Sequence, residues 1–326
     1  MTRAFPSKGK GPAEAGPLDW MLLAGLIAMG GSSFTFIHMA LETAPPAVVT
    51  IGRLWLAAIF LYGAMRAKGR RFPPLLVRTI KGLRPHRLWV WMSMVGLIGY
   101  TIPFFIFPWA QQFVPSGLAG VYMAFMPIWT LMLAALFADE RLTPARIAGF
   151  VLAAAGVLVL MGPDALAGIS GDNLLAQAGL LLATLLYAAS AVMSRRAPPA
   201  RRIVFSAGIV LMGALFSTPG LLFTPIDPAS WSARSMLSIV ALGVGPTALA
   251  GVIIIIIIRR AGASFMALAN YIVPLFAVLA GAALFGERLG LNVFLALALI
   301  FAGVFISQQR ARSSAPAIAA ALQKSS

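Results

Sequence analysis

The sequence predicts an all-α integral membrane protein: ten transmembrane helices arranged as two inverted five-helix repeats. Three observations predict this fold. The 326 residues are 60% hydrophobic and only 10% charged, against about 25% charged in an average soluble chain. Ten nearly charge-free apolar runs can be laid along the chain, each near the roughly 20 residues that a bilayer crossing needs. The second half also repeats the first at a constant offset.

The runs fall at about residues 18 to 41, 45 to 65, 88 to 110, 115 to 138, 145 to 163, 173 to 194, 202 to 224, 235 to 258, 262 to 285 and 290 to 308. They are continuously apolar, whereas barrel strands alternate over about ten residues, so helix is the expected element. The first run is longer than a signal-peptide core and lacks a small-residue cleavage site before a polar mature start, so it stands as helix 1. Between helices 2 and 3, Leu75, Leu76, Ile80 and Leu83 lie beside Arg78, Lys81 and Arg84. That spacing fits a short amphipathic helix on the inner leaflet, or a basic loop that only sets topology. The Ala- and Ser-rich tail is expected to be disordered. The expected organisation is a cytoplasmic segment (1–17), a first repeat (18–163), an inverted second repeat (173–308) and a cytoplasmic tail (309–326).

Charge placement tests the helix count independently. Of 25 Lys and Arg, 22 fall on one set of alternate connections, only Arg234 and Arg288 on the other, and Arg53 within a span. A wrong count would scramble this asymmetry, and the positive-inside rule then places both termini in the cytoplasm. The net charge of +16 is therefore a topology signal, and nucleic acid is not an expected partner. With no cysteine, disulfides, thiolate nucleophiles and thiolate metal sites are excluded.

At an offset of 147 residues, Pro127 falls on Pro274, Glu140-Arg141-Leu142 on Glu287-Arg288-Leu289, Leu152 on Leu299, and Ala155-Gly156-Val157 on Ala302-Gly303-Val304. A weaker echo links Ala24-Gly25-Leu26 to Ala178-Gly179-Leu180, and Ala44-Pro45-Pro46 to Ala197-Pro198-Pro199. Five helices per copy is an odd number, so the second copy enters the membrane from the opposite side. Inverted repeats are a recurrent architecture of secondary transporters, with the site near the midplane between the copies.

These residues resemble the drug/metabolite transporter superfamily, specifically its ten-helix EamA-type exporters. The resemblance rests on Gly30-Gly31-Ser32-Ser33-Phe34, the Pro46 to Arg53 spacing, Pro127, Glu140-Arg141-Leu142 and Gly156. It recurs at Arg260-Ala261-Gly262-Ala263, Pro274, Glu287-Arg288-Leu289 and Gly303, and covers roughly residues 18 to 308. It implies export of amino acids or related small metabolites across a bacterial inner membrane, with aromatic or neutral amino acids as the implied substrates. The chain departs from the family in two places. Met29-Gly30 stands where the family often has Trp-Gly, and six isoleucines, Ile253 to Ile258, stand where similar proteins mix aromatic and polar residues.

Arg53 is the one full charge deep within a predicted span. A cation there costs at least about 2.5 kcal/mol on insertion scales, and no Asp or Glu sits at comparable depth in the sequence. Two readings remain open: a helix-tying arginine bonded to carbonyls, or a contact to a substrate carboxylate. Ser33, His38, Tyr100, Phe104, Tyr122, Trp129, Tyr187, Asn270 and Tyr271 are the polar and aromatic candidates to line a binding cavity with it. For each of them, helix packing is the competing reading. Pro103, Pro127, Pro246 and Pro274 each interrupt a helix, where they can bend it or free a carbonyl for a ligand ammonium. Gly30 and Gly31 suggest close packing or a flexible point. Glu140 and Glu287 are expected to cap the next helix or pair locally.

Without a mid-span carboxylate, a buried-acid proton relay is not expected. Facilitated diffusion, or coupling that uses no buried acid, is the expectation. An integral membrane enzyme would need a metal cluster, paired carboxylates or a nucleophile with its base, so catalytic residues, metal and cofactor are not expected. The expected partners are a small solute and membrane lipid. A nucleotide sugar or phosphorylated metabolite is the alternative cargo, but such ligands favour several buried cations.

Overall fold

The computed structural model describes residues 15–79, 82–137, 144–161, 172–261, 263–266, 268–287 and 290–306. Glu140-Arg141-Leu142, Arg288, Leu289, most of the N-terminal segment and the tail lie outside these. Helix α1 (Pro17–Ala40) and α2 (Pro46–Ala67) each begin on a proline, where the missing N–H is one the helix could not have paired anyway. α3 (Arg87–Ala110) carries a π-helical stretch at Leu97–Thr101. α4 (116–137) tightens into a 3₁₀ turn at Met123–Phe125. α5 (Pro144–Met161), α6 (Asp172–Arg196) and α7 (Arg202–Phe223) follow. α8 (233–260) has its own π stretch at Gly243–Leu249. A single turn, Ala263–Met266, precedes α9 (Ala269–Phe285), which stops at Gly286 with φ +63°. α10 is Leu291–Ile306.

α1, α2, α3, α6, α7 and the Ala233–Ile254 part of α8 are each long and apolar enough to cross a membrane, and α5, α9 and α10 contain shorter apolar stretches. The chain is thus a predominantly helical, multi-pass membrane protein.

The connection between α2 and α3 corrects one expectation. It is an antiparallel β-hairpin, Leu76–Thr79 against Gly82–Pro85, with Leu76 opposite Pro85 and Thr79 opposite Gly82. The leucine spacing permitted a helix, but Gly82 at φ +100° reverses the chain within the segment. A positive φ belongs to a turn.

Helix packing places both halves of the chain against each other. α1 lies along α8 and α9, α6 along α3 and α4, α2 against α7, and α4 against α9. Exchanging the first five helices for the last five turns α1–α8 into α6–α3 and α1–α9 into α6–α4, and leaves α2–α7 and α4–α9 as they are. α5 meets α10 through glycines at the repeat offset: a Cβ on Gly156 would lie 2.9 Å from the Ala296 carbonyl, and one on Gly303 would lie 2.9 Å from the Ala153 nitrogen. Small residues of this kind let membrane helices approach backbone to backbone. The isoleucine run adds to the apolar packing of α8 on α1, where Ile257 is fully buried with Leu23, Leu26 and Ile27.

Side-chain ties fasten α1 to α8 at both ends. Arg260 donates from Nε to Asp19 Oδ1 at 2.6 Å. At the other end Arg234 pairs with Glu42 at 3.0 Å, and Thr43 donates to Ser235 Oγ at 2.9 Å while accepting from the Ser232 amide. Glu287 corrects a second expectation. Among the described residues its partners lie at the start of α4 rather than on the helix that follows it: it accepts from the Ser116 amide (2.8 Å), the Ser116 hydroxyl (2.7 Å) and the Gly117 amide (2.9 Å). A carboxylate at a helix N-terminus satisfies donors that have no intrahelical acceptor and complements the helix dipole.

Candidate functional site

The irregular turns of the bundle follow from its prolines. A proline at position i leaves the carbonyl of residue i−4 without its helical donor. Pro108 frees the Phe104 carbonyl, and Thr50 of α2 donates its hydroxyl to that oxygen at 2.5 Å. Pro246 frees the Leu242 carbonyl, and Thr247 donates to it at 2.7 Å. Pro103 lies two residues after the π stretch of α3, Pro246 lies inside that of α8, and Pro127 lies two residues after the 3₁₀ turn of α4. The Phe104 and Leu242 carbonyls are therefore each already engaged by a threonine hydroxyl.

Arg53 is drawn into this arrangement. It is 8% exposed, and its Nε donates to Thr247 Oγ1 at 2.7 Å, so that a relay runs from guanidinium to hydroxyl to the carbonyl freed by Pro246. The guanidinium carbon sits 4.1 Å above the Phe104 ring. A hydrogen bond from a charged donor contributes about 1.5–3 kcal/mol, and a desolvated cation–π contact about 2 kcal/mol. Together these offset the insertion cost of the cation. No acceptor among the described residues reaches its Nη1 or Nη2.

Those nitrogens belong to a side chain that lines a cavity of about 170 Å³. The other lining residues are Gly30, Ser33, Phe34 and Ile37 of α1, Phe107 of α3, Met123 of α4, Tyr187 of α6, Pro246 of α8 and Val273 of α9. Both halves of the chain contribute. Tyr187 stacks on Phe107 at 5.9 Å and meets Phe104 edge-on at 6.3 Å, while Tyr100 lies 5.3 Å from Phe104. The result is one cation at the edge of an aromatic and aliphatic chamber, with the Ser33 hydroxyl and the Tyr187 phenol as further polar groups.

The residues named from sequence divide accordingly. Arg53, Ser33, Tyr187, Gly30 and Pro246 line the cavity, with Phe104 beneath the guanidinium and Tyr100 behind it. Gly31 packs against Phe276 of α9, which supports the close-packing reading for that position. Tyr122 is buried elsewhere and donates to Gln177 Oε1 at 2.6 Å. His38 lies 4.4 Å from the Phe285 ring, and Trp129 packs edge-on against Phe125 at 5.2 Å. Asn270 is exposed at the start of α9. Pro274 is buried inside α9. For Tyr271 only the backbone, within α9, is described.

Sequence reasoning missed Phe34, Ile37, Phe107, Met123 and Val273, which are indistinguishable by type from core residues, and it missed Thr247. The signal for Thr247 was a hydroxyl directly after a mid-span proline. Thr247→Val keeps the shape but strands the Arg53 Nε. We expect a loss of about 2 kcal/mol, read as lowered thermal stability in detergent, together with reduced transport.

The EamA-like transporter family profile matches residues 18–162 and again 174–308. The uncharacterized inner membrane transporter YedA of Escherichia coli (strain K12) is 29% identical over 304 residues, covering 89% of this chain and 90% of that protein. The aromatic amino acid exporter YddG of Ancylobacter novellus is 28% identical over 198 residues, 60% of this chain and 67% of that protein. A solved crystal structure shares the fold with a TM-score of 0.61 at 22% identity, covering 92% of this chain and 100% of that one.

Proposed function

Because the chain belongs to the EamA-like transporter family, and is a transporter rather than an enzyme, we propose that it exports neutral or aromatic amino acids, or close relatives, through the cavity at Arg53. The observation that carries this reading is the pairing of free guanidinium nitrogens with an apolar, aromatic chamber. A substrate carboxylate is held by the guanidinium fork, while its side chain lies against Phe34, Phe107, Met123 and Val273. The Tyr187 and Phe107 rings offer faces to the ammonium. The name of the Ancylobacter relative points the same way.

The cavity size supports a small cargo. About 170 Å³ is below the roughly 300–1,000 Å³ of pockets for drug-sized ligands, and one cation is a poor match for the several charges of a nucleotide sugar. Ten spans in two inverted repeats remain our reading of the architecture, supported by the exchangeable helix pairs and by the repeat-related π stretches of α3 and α8. Under it, alternating access arises by exchange of conformations between the halves. The 22-to-2 division of basic residues supports cytoplasmic termini in a bacterial inner membrane.

Among the described residues no carboxylate lines the cavity, so the proposed movement runs down the substrate gradient or uses coupling without a buried acid. A panel of radiolabelled amino acids offered to proteoliposomes, with and without a pH gradient, tests both statements. Transport of neutral and aromatic amino acids without need of the gradient is expected. An absolute requirement for a pH gradient contradicts the coupling reading, and transport confined to phosphorylated solutes contradicts the substrate reading.

A further inference from the structure

Outside the central cavity, a second recess of about 360 Å³ opens on the flank of the bundle between α2 and α7. Its walls are Trp55, Ala58, Ile59 and Tyr62 of α2, Ala207 and Leu211 of α7, and Phe72 from the segment after α2. Small alanines form its floor, and Ile59 and Tyr62 at its rim are 65% and 49% exposed. Phe72 is held between two rings, stacked 6.0 Å from Tyr62 and tilted 5.1 Å from Trp89. The Trp89 indole N–H donates to the neighbouring Pro73 carbonyl at 3.2 Å. The wall is therefore built by folding the chain back after the turn at Gly69, whose φ is +64°.

Trp55, Ile59, Tyr62 and Arg66 recur at helical spacing on one face of α2, so the apolar stripe ends in a cation. From Trp55 to Arg66 the stripe rises about 16 Å, close to the roughly 15 Å depth of one leaflet of the hydrocarbon core. Arg70 and Arg71, both exposed, directly precede Phe72 at the same end. The adjoining hairpin adds exposed Leu76 and Leu83 beside Arg78 and Arg84, the mixture that lies at a headgroup boundary.

We propose that this groove binds a bilayer phospholipid with an anionic headgroup. One acyl chain lies along Trp55, Ile59, Tyr62 and Leu211, and the phosphate end meets Arg66 and Arg71. Two observations favour this occupant: the apolar stripe that walls the groove, carried on to Arg66, is about as long as a leaflet is deep, and the exposed Arg66, Arg70 and Arg71 stand at its end. A second copy of the chain would bring the same cations against themselves, which charge repulsion opposes.

Native mass spectrometry of the full chain in detergent, titrated with phosphatidylglycerol or phosphatidylcholine of identical acyl chains, tests this. The wild-type chain is expected to retain phosphatidylglycerol more tightly. Arg66→Ala with Arg71→Ala is expected to lower that affinity about fivefold for each arginine, as for a cation at an anionic surface, with phosphatidylcholine unaffected. Leu211→Trp, which fills the groove, is expected to weaken both lipids. Equal binding of the two lipids by the wild-type chain, or unchanged selectivity in the double arginine variant, overturns the proposal. The arginine variants alter only exposed side chains, so they decide the matter even if Leu211→Trp fails to fold.

Discussion

Arg53→Ala is expected to reduce transport in proteoliposomes by at least about 100-fold while the protein inserts and accumulates normally. The magnitude follows from losing a bidentate guanidinium–carboxylate contact, roughly 3 kcal/mol for a charge-assisted pair. Normal insertion follows because the substitution removes a buried cation rather than adding one. Arg53→Lys keeps the charge but not the planar fork that lets Nε hold Thr247 while the terminal nitrogens stay free. It is expected to recover only part of the lost rate. Wild-type transport by Arg53→Ala would leave the arginine as a helix tie alone, a role already accounted for by Thr247 and the Phe104 ring.

Glu287→Ala is expected to destabilise the protein by about 2–4 kcal/mol, read as a lower thermal unfolding midpoint in detergent. Three hydrogen bonds from Ser116 and Gly117 disappear at once, and they leave first-turn donors of α4 unpaired. Glu287→Gln keeps an acceptor but not the charge and should lie between the two. Ser116→Ala removes one of the three bonds and should be milder still. An unfolding midpoint for Glu287→Ala equal to that of the wild-type chain would mean that water replaces the cap at no cost.

Much of this was legible in the residues, and what was hidden was hidden for physical reasons. Arg53 announces itself because a lone cation in an apolar run demands compensation. Thr247 is fainter, because a threonine hydroxyl in a helix ordinarily bonds to its own backbone, and only the proline before it sets this one apart. Pro103 and Pro246 could be flagged as interruptions, yet their conversion into π stretches depends on which neighbour accepts or supplies the displaced hydrogen bond. The α2–α3 hairpin was not among the readings, a short helix or a basic loop, because Leu75, Leu76, Ile80 and Leu83 satisfy a helical period that the turn at Gly82 breaks. Glu287 was assigned to the wrong helix because its partners, Ser116 and Gly117, lie about 170 residues away in the chain.

In the proposed function, the Arg53 cavity is the chamber through which solute passes. The natural chain has no cysteine, so Ser33→Cys places a single thiol on the cavity wall without further engineering. Its reaction with a membrane-impermeant thiol reagent, applied to either face of oriented vesicles with and without a transported amino acid, is the most direct measurement. The account predicts labelling from both faces and protection by the amino acid. A thiol inert from both faces, or labelled at a rate the amino acid does not change, would contradict it.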